Sequence, residues 1–245
     1  VRFAASMIAL FLLVAPAYAH TAAPLQAMQA VTVYVREHAT MTNLETGTSA
    51  SDNNGACSGF VVQHNPEGEA VILTAAHCVG KANETIFGTQ VSIQSRPVFV
   101  KWHDGRQADV KWAVIDANDD VAAIIADDQS GHPDARLSVR ALQPGEPLFV
   151  YGAANGRPWW VSQCYASGGD SGPQPGEGLP PNLVIFACLV AGQGDSGAPV
   201  FVDEGDIVGL LVDGNGDQQA MVPASRLIQF LLDLSSQPRV ENAGT

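Results

Sequence analysis

The sequence predicts an all-β protein of two packed antiparallel β-barrels followed by one C-terminal α-helix. Three observations lead there. Turn formers are abundant, with 24 glycines and 15 prolines in 245 residues, which suits a turn-rich sheet protein better than a helical one. Short β-type runs fall into two series of similar size around a polar stretch, residues 127–134 (DDQSGHPD). A single helical apolar stripe stands near the end of the chain. With 46% hydrophobic residues, the chain can bury one large core or two small ones.

Taken in order, residues 1–19 read as an export signal: Arg2 is the positive n-region, residues 7–14 (MIALFLLV) a short apolar run, and Ala17-Tyr18-Ala19 a small-x-small cleavage site. That run is shorter than the roughly 20 residues of a bilayer span. The expected mature chain therefore starts at His20, is secreted or periplasmic, and carries no membrane anchor. Residues 20–29 form an N-terminal segment. The first barrel, residues 30–126, is expected to have strands at 31–36, 58–63, 70–74, 90–93, 97–102, 111–115 and 121–126, each bounded by turn formers. Residues 127–140 link the barrels. The second barrel, residues 141–222, is expected to have strands at 147–151, 159–164, 183–189, 198–202, 207–212 and 219–222. Within it, residues 169–181 (GDSGPQPGEGLPP) are the most loop-like of the mature chain. In the last segment, 223–245, Ser225 is an acceptable N-cap for a helix whose apolar stripe is Leu227, Ile228, Leu231, Leu232 and Leu234. The tail 238–245 is expected to fray.

Charge and cysteines narrow the function. A formal net charge of -13 repels a nucleic-acid backbone, so no nucleic-acid partner is expected. The four cysteines, Cys57, Cys78, Cys164 and Cys188, form no CxxC or His/Cys cluster at metal spacing. No zinc site or cofactor is expected, and the protein is expected to be a monomer. In an oxidising compartment an even count invites pairing, with three possible connectivities.

Serine is a weak nucleophile until a correctly oriented base removes its proton. The acyl-transfer intermediate then needs donors aimed at its oxyanion. Gly194-Asp195-Ser196-Gly197-Ala198-Pro199 suits both needs, because small residues let the chain turn tightly and a carbonyl come close. The N–H groups of Gly194 and Ser196 can point together in such a turn as an oxyanion hole. The same four letters recur at Gly169-Asp170-Ser171-Gly172, where a Pro-rich setting reads as a plain surface turn.

What distinguishes the second copy is its company. Leu73-Thr74-Ala75-Ala76-His77-Cys78 resembles the histidine motif of the chymotrypsin/trypsin-like serine protease family. Gly194 to Pro199 resembles that family's serine motif, and Asp120-Val121-Ala122 its aspartate motif, all in the family's order. The resemblance runs from about Val31 to the terminal helix and points to the compact bacterial or viral type. It implies a serine endopeptidase acting on protein or peptide substrates, with His77, Asp120 and Ser196 as catalytic triad. Asp119 is a rival to Asp120. The family also has a disulfide at the positions of Cys57 and Cys78, which leaves Cys164 and Cys188 for each other.

The chain departs from the family in two places. Ala198 replaces a glycine, a change that leaves the oxyanion donors intact. No Arg-Ile-Val-Gly-Gly activation sequence occurs in residues 20–35, so Asp195 lacks the freed N-terminus that pairs with it elsewhere and needs another partner. If the alignment holds, the pocket for the residue before the cleaved bond is walled by Val190, Ala191, Gln193, Val212, Asp213 and Gly214. Val190 argues against Arg/Lys preference there and Asp213 could reverse it. Residues 213–217 (DGNGD) look like the start of a calcium loop, but Gln218 stands at the glycine position and a tight turn is the better reading. His20, His38, His64, His103 and His132 are expected at the surface or in loops, and Trp159-Trp160 are expected to pack.

Other readings fit the chain less well. An α/β-hydrolase esterase needs Gly-x-Ser-x-Gly and the order Ser, acid, His, and this chain has neither. A protease homologue turned binding protein usually lacks a triad member, whereas all three candidates are present here.

Overall fold

The computed structural model describes residues 22–245 apart from 87–88, 168–182, 189–190, 204, 216–217, 237 and 242–245. The expected export signal lies outside the described residues. Helix α1 (Ala22–Val31) leads into strands β1 (Thr32–Asn43), β2 (Ser49–His64), β3 (Glu69–Ala75), β4 (Lys81–Ile86), β5 (Thr89–Trp102), β6 (Gln107–Asp116) and β7 (Val121–Asp127). After the linker come β8 (Pro147–Gly152), β9 (Trp160–Ala166), β10 (Val184–Cys188), β11 (Pro199–Phe201), β12 (Ile207–Asn215) and β13 (Gln218–Pro223). Helix α2 (Ala224–Asp233) and the short strand β14 (Val240–Glu241) end the described chain.

Both barrels that the sequence predicts are present. Antiparallel pairing around β6-β7-β3-β2-β1-β5 returns to β6 and closes six strands. The cycle β8-β9-β10-β13-β12-β11 closes six more. Closure satisfies the backbone groups that an open sheet would leave at its edges. Alternation along the strands explains how the barrels also pack on each other. In β8, Leu148 and Val150 enter the second barrel's core, while Phe149 and Tyr151 join the cluster centred on the first barrel. In β12, Leu211 turns into the second barrel and Leu210 and Val212 join the other cluster. Strands buried on both faces read as unbroken apolar runs, as VAAIIA in β7 does.

Several local expectations change. The two runs at 90–93 and 97–102 are one strand, β5. Pro97 is tolerated in it because the register with β1 shifts between Arg36 and Glu37, the residue opposite Pro97. Strand β4 (KANETI) has no apolar pattern to announce it and, among the described residues, pairs only with β5. Helix α1 arises in the N-terminal segment and buries Met28 and Val31. The tail does not simply fray: Val240 and Glu241 pair with Ala113 and Trp112 of β6, and the Arg239 guanidinium lies 4.3 Å from the Trp112 ring centre. Helix α2 starts two residues earlier than a Ser225 cap requires. Pro223 holds the N-cap position with no side-chain cap, so Ser225 lies in the first turn. Its buried stripe is Ala224, Leu227 and Phe230, and Leu232 is 71% exposed rather than inward.

The start of the linker is held by a chain of contacts between histidines and carboxylates. Asp128, with a side chain only 2% exposed, takes His64 Nε2 at 2.9 Å and His132 Nδ1 at 2.9 Å. His64 Nδ1 meets Asp134 at 2.7 Å, and His132 Nε2 meets Asp104 at 3.2 Å. His132 also stacks on Trp102, ring centres 5.1 Å apart. These two histidines are therefore bound groups, not plain loop residues. Each ring nitrogen of His64 faces a carboxylate, and both can donate only in the imidazolium form. Burial opposes that charge, but bonds to Asp128 and Asp134 outweigh it and leave His64 raised above its usual value. Asp128 is held well below the carboxylate range, because bonds from Ser130, His64 and His132 overcome its burial.

A depressed Asp128 contributes stability that is lost as pH falls through its folded value, and a raised His64 contributes stability that is lost as pH rises through its own. His64→Gln should therefore cost about 1–3 kcal/mol at pH 5.5 and much less at pH 9. Urea unfolding at the two pH values measures this. An equal deficit at both would remove the imidazolium from the explanation.

Candidate active site

The turn before β11 contains Ser196. Gly194 (φ 99°) and Gly197 (φ 84°) both take the left-handed backbone. A Cβ on Gly194 would lie 2.3 Å from the Ala153 carbonyl oxygen, and one on Gly197 would lie 2.1 Å from that of Ser58. Glycine is required at both for space as well as for φ. The carbonyl of Gln193 accepts the Asn155 N–H, and that of Asp195 accepts the Ala198 N–H at 2.8 Å. In a trans peptide the N–H points opposite the C=O. The N–H of Gly194 is thus turned away from Asn155, and that of Ser196 away from Ala198. These are the two N–H groups that the sequence offers as candidate oxyanion donors.

This turn is bound to the first barrel through Ser58 of β2. The Ser58 N–H donates to the Ser196 carbonyl at 2.8 Å. Its buried hydroxyl donates to the Gly194 carbonyl at 2.8 Å and accepts the Ala153 N–H at 2.9 Å. Its own carbonyl accepts the Thr74 hydroxyl at 2.7 Å. Sequence reasoning did not single out Ser58. Its signal was its place between Cys57 and Gly59, directly after a cysteine of the histidine loop.

His77 sits in a 3-10 turn, Ala76–Cys78, at the end of β3. Its backbone N–H donates to Asp120 Oδ1 at 2.9 Å, and its Nδ1 lies 2.8 Å from Asp120 Oδ2. One carboxylate therefore fixes both the ring and its backbone. A carboxylate accepts, so Nδ1 carries the proton and Nε2 is the basic nitrogen. Asp120 has φ 53°, a left-handed conformation that aspartate tolerates, and its carbonyl accepts the Ala76 N–H at 3.1 Å. Asp119 points elsewhere, to an ion pair with Arg226 of α2. Of the two neighbouring acids, Asp120 is the one against His77.

His77, Gly194 and Ser196 line one cleft of about 680 Å³. A second cavity of about 230 Å³ meets it at Ser196 and Gln193. Of the residues expected around the substrate pocket, Ala191, Gln193 and Gly214 line this smaller cavity, together with Gln219, which sequence reasoning missed. Val212 is buried in the core cluster shared between the barrels. Val190 and the side chain of Asp213 lie outside the described residues, as does the other GDSG at 169–172. Asn215 pairs with Gln218 across the β12–β13 hairpin, and residues 216–217 between them lie outside the described residues.

Asp195 is 1% exposed. Burial pushes its carboxyl up to about 6, against the pull of the backbone N–H groups of Gly192, Ala154 and Ala153. Oδ2 accepts the Gly192 N–H at 3.1 Å, while Oδ1 makes no direct bond among the described residues. The Ala153 N–H is already spent on Ser58, so its pull on Asp195 acts through the field. A Cβ on Gly152 would stand 2.6 Å from Oδ1, which leaves that strand end no choice but glycine. Backbone dipoles thus occupy the place of a partner charge.

Disulfides join Cys57 to Cys78 and Cys164 to Cys188. The first staples β2 to the histidine turn, and the second spans directly opposed residues of β9 and β10. Cys57, His77 and Cys78 bring three ligand-type atoms together, but both sulfurs are bonded to each other. Trp159 packs against Tyr151 and His103, with ring centres 6.2 and 5.1 Å away, whereas Trp160 is exposed.

The family model described as a trypsin-like peptidase domain matches residues 57–210. No curated protein matches the chain. Among solved structures, the fold is similar to that of Rv3671c from M. tuberculosis H37Rv, solved as a serine-to-alanine mutant in an inactive form. The TM-score is 0.58 at 17% identity, over 87% of this chain and 90% of that one. At that identity the likeness speaks for the fold.

Replacing Ser58 by alanine would strand the buried Ala153 N–H and Gly194 carbonyl. The expected cost is about 1–3 kcal/mol in urea unfolding. A variant as stable as the parent would show that this hydroxyl is not what joins the barrels.

Proposed function

The chain belongs to the trypsin-like peptidase family, and from that premise we propose that it is a secreted serine endopeptidase using Ser196, His77 and Asp120. A peptidase acts on protein or peptide substrates. In the proposed reaction Ser196 Oγ attacks the scissile carbonyl carbon while His77 Nε2 takes its proton. The carbonyl oxygen, now negative, is met by the N–H groups of Gly194 and Ser196. His77 passes the proton to the leaving amine, the C–N bond breaks, and an acyl-enzyme remains on Ser196. Water, deprotonated by His77, attacks the ester carbonyl and releases the acid, and Ser196 regains its proton. Asp120 holds the Nδ1 proton throughout and stabilises the imidazolium.

The observation that carries this reading is the two-point hold of Asp120 on His77, at 2.9 and 2.8 Å, beside a cleft that also holds Ser196. Export is supported by the N-terminal pattern and by two disulfides. Among the described residues no helix is long and apolar enough to cross a membrane.

Ser196→Ala should abolish casein hydrolysis and fluorophosphonate labelling with little change in Tm. Full activity in that variant would overturn the assignment, and a wild-type protein that resists the label would favour a silent binding homologue. Asp120→Asn should lower kcat by about 10⁴. Asp119→Asn, which loosens α2 through Arg226, should instead be read mainly in stability. A steady-state assay on both variants separates the two acids. Mass spectrometry of the exported protein should find His20 at its N-terminus.

A further inference from the structure

The two cavities that meet at Ser196 divide a bound substrate into its halves. His77 must hand its proton to the leaving nitrogen, so the cavity that contains His77 receives the leaving-group half. That is the 680 Å³ cleft. The smaller one, by Ala191 and Gly214, receives the acyl half. The wall of the larger cleft is the long β1–β2 hairpin, and that wall carries Glu37 and Asp52.

Glu37 is built into this wall rather than left on its surface. A Cβ on Gly55, the residue opposite, would stand 2.5 Å from Glu37 Cγ, so glycine there makes the room for it. One side of the carboxylate is satisfied by a side-chain bond to Ser95. Its Oε2 is buried with no hydrogen-bond partner among the described residues. An unpaired buried carboxylate oxygen is costly. Burial and the nearby Asp52 both push the Glu37 carboxyl up, while His77 and Ser95 hold it down. Glu37 lines the cleft, and a cation bound beside it there would balance a carboxylate that has no ion-pair partner among the described residues. Met41 and Ile93 line the same cleft and offer an apolar path for a long aliphatic stem.

We infer that the leaving-group side of this site selects a lysine or arginine in one of the first two positions after the cleaved bond, with Glu37 as the residue that receives its cationic head. The chain's net charge of -13 would also draw basic peptides toward the cleft. The inference rests on the serine peptidase reading above.

The test is digestion of a peptide library randomised at those two positions. Wild type should cleave peptides with Lys or Arg there about tenfold better, in kcat/KM, than peptides with Leu or Ala. In Glu37→Gln that ratio should fall toward unity. A flat wild-type profile, with cleavage that disappears in Ser196→Ala, overturns the inference and leaves the peptidase reading standing. A basic preference that persists in Glu37→Gln overturns the role of Glu37. No Ser196-dependent cleavage at all overturns both. The wild-type profile decides the matter even if Glu37→Gln does not fold. Added salt gives an independent reading, since an ionic preference should shrink with it.

Discussion

Ser58 carries three hydrogen bonds from the first barrel into the second, and the chemistry depends on that seam. Ser196 and Gly194 belong to one barrel, and His77 and Asp120 to the other. In the proposed reaction a proton passes between Ser196 and His77, which requires the barrels to hold their distance closely. The Ser58 N–H and hydroxyl fix the carbonyls of Ser196 and Gly194, the turn that bears the nucleophile. Thr74, on the strand that leads to His77, fixes the carbonyl of Ser58 in turn. One short path of hydrogen bonds therefore connects the strand that leads to His77 with the turn of Ser196. The Cys57–Cys78 disulfide lies beside it.

Around that seam the barrels share apolar surface. Phe149, Tyr151, Leu210 and Val212 belong to second-barrel strands, yet they cluster with first-barrel residues and with Leu227 and Phe230 of α2. The period-two alternation of a strand is what allows one segment to fill two cores. Helix α2 adds a polar tie through Arg226 and Asp119, next to the residue that orients His77. The acid beside Asp120 thus serves to hold the helix, which explains why two adjacent aspartates are not redundant.

The serine turn is stabilised differently from what its family resemblance implies. Asp195 stands buried where a charged amine would neutralise it after activation. Here it faces the backbone N–H of Gly192 and the field of the Ala153–Ala154 amides. Oriented amides pull the carboxyl down, but burial outweighs them and raises it to about 6. They are, however, always present. The turn around Ser196 is held in this structure by its own backbone.

The barrels, the positions of their main strands, and His77, Ser196 and Asp120 as candidates were legible in the sequence. Those features depend on local pattern: period-two apolar runs, glycines with no steric alternative, and motifs a few residues long. Strand β4, the returning β14 and the inward face of α2 were not legible, because polar edge strands carry no apolar signal and a helix face is decided by what it packs on. The choice between Asp119 and Asp120 became geometric only when Arg226, over a hundred residues away, came to claim one of them. Ser58, Glu37 and the pairing of His64 and His132 across Asp128 are likewise contacts between distant segments. The sequence by itself determined which chemical groups the protein has and where tight turns must fall. Only the tertiary structure decided which groups meet, because hydrogen bonds and ion pairs are set by distances that closure of the barrels creates.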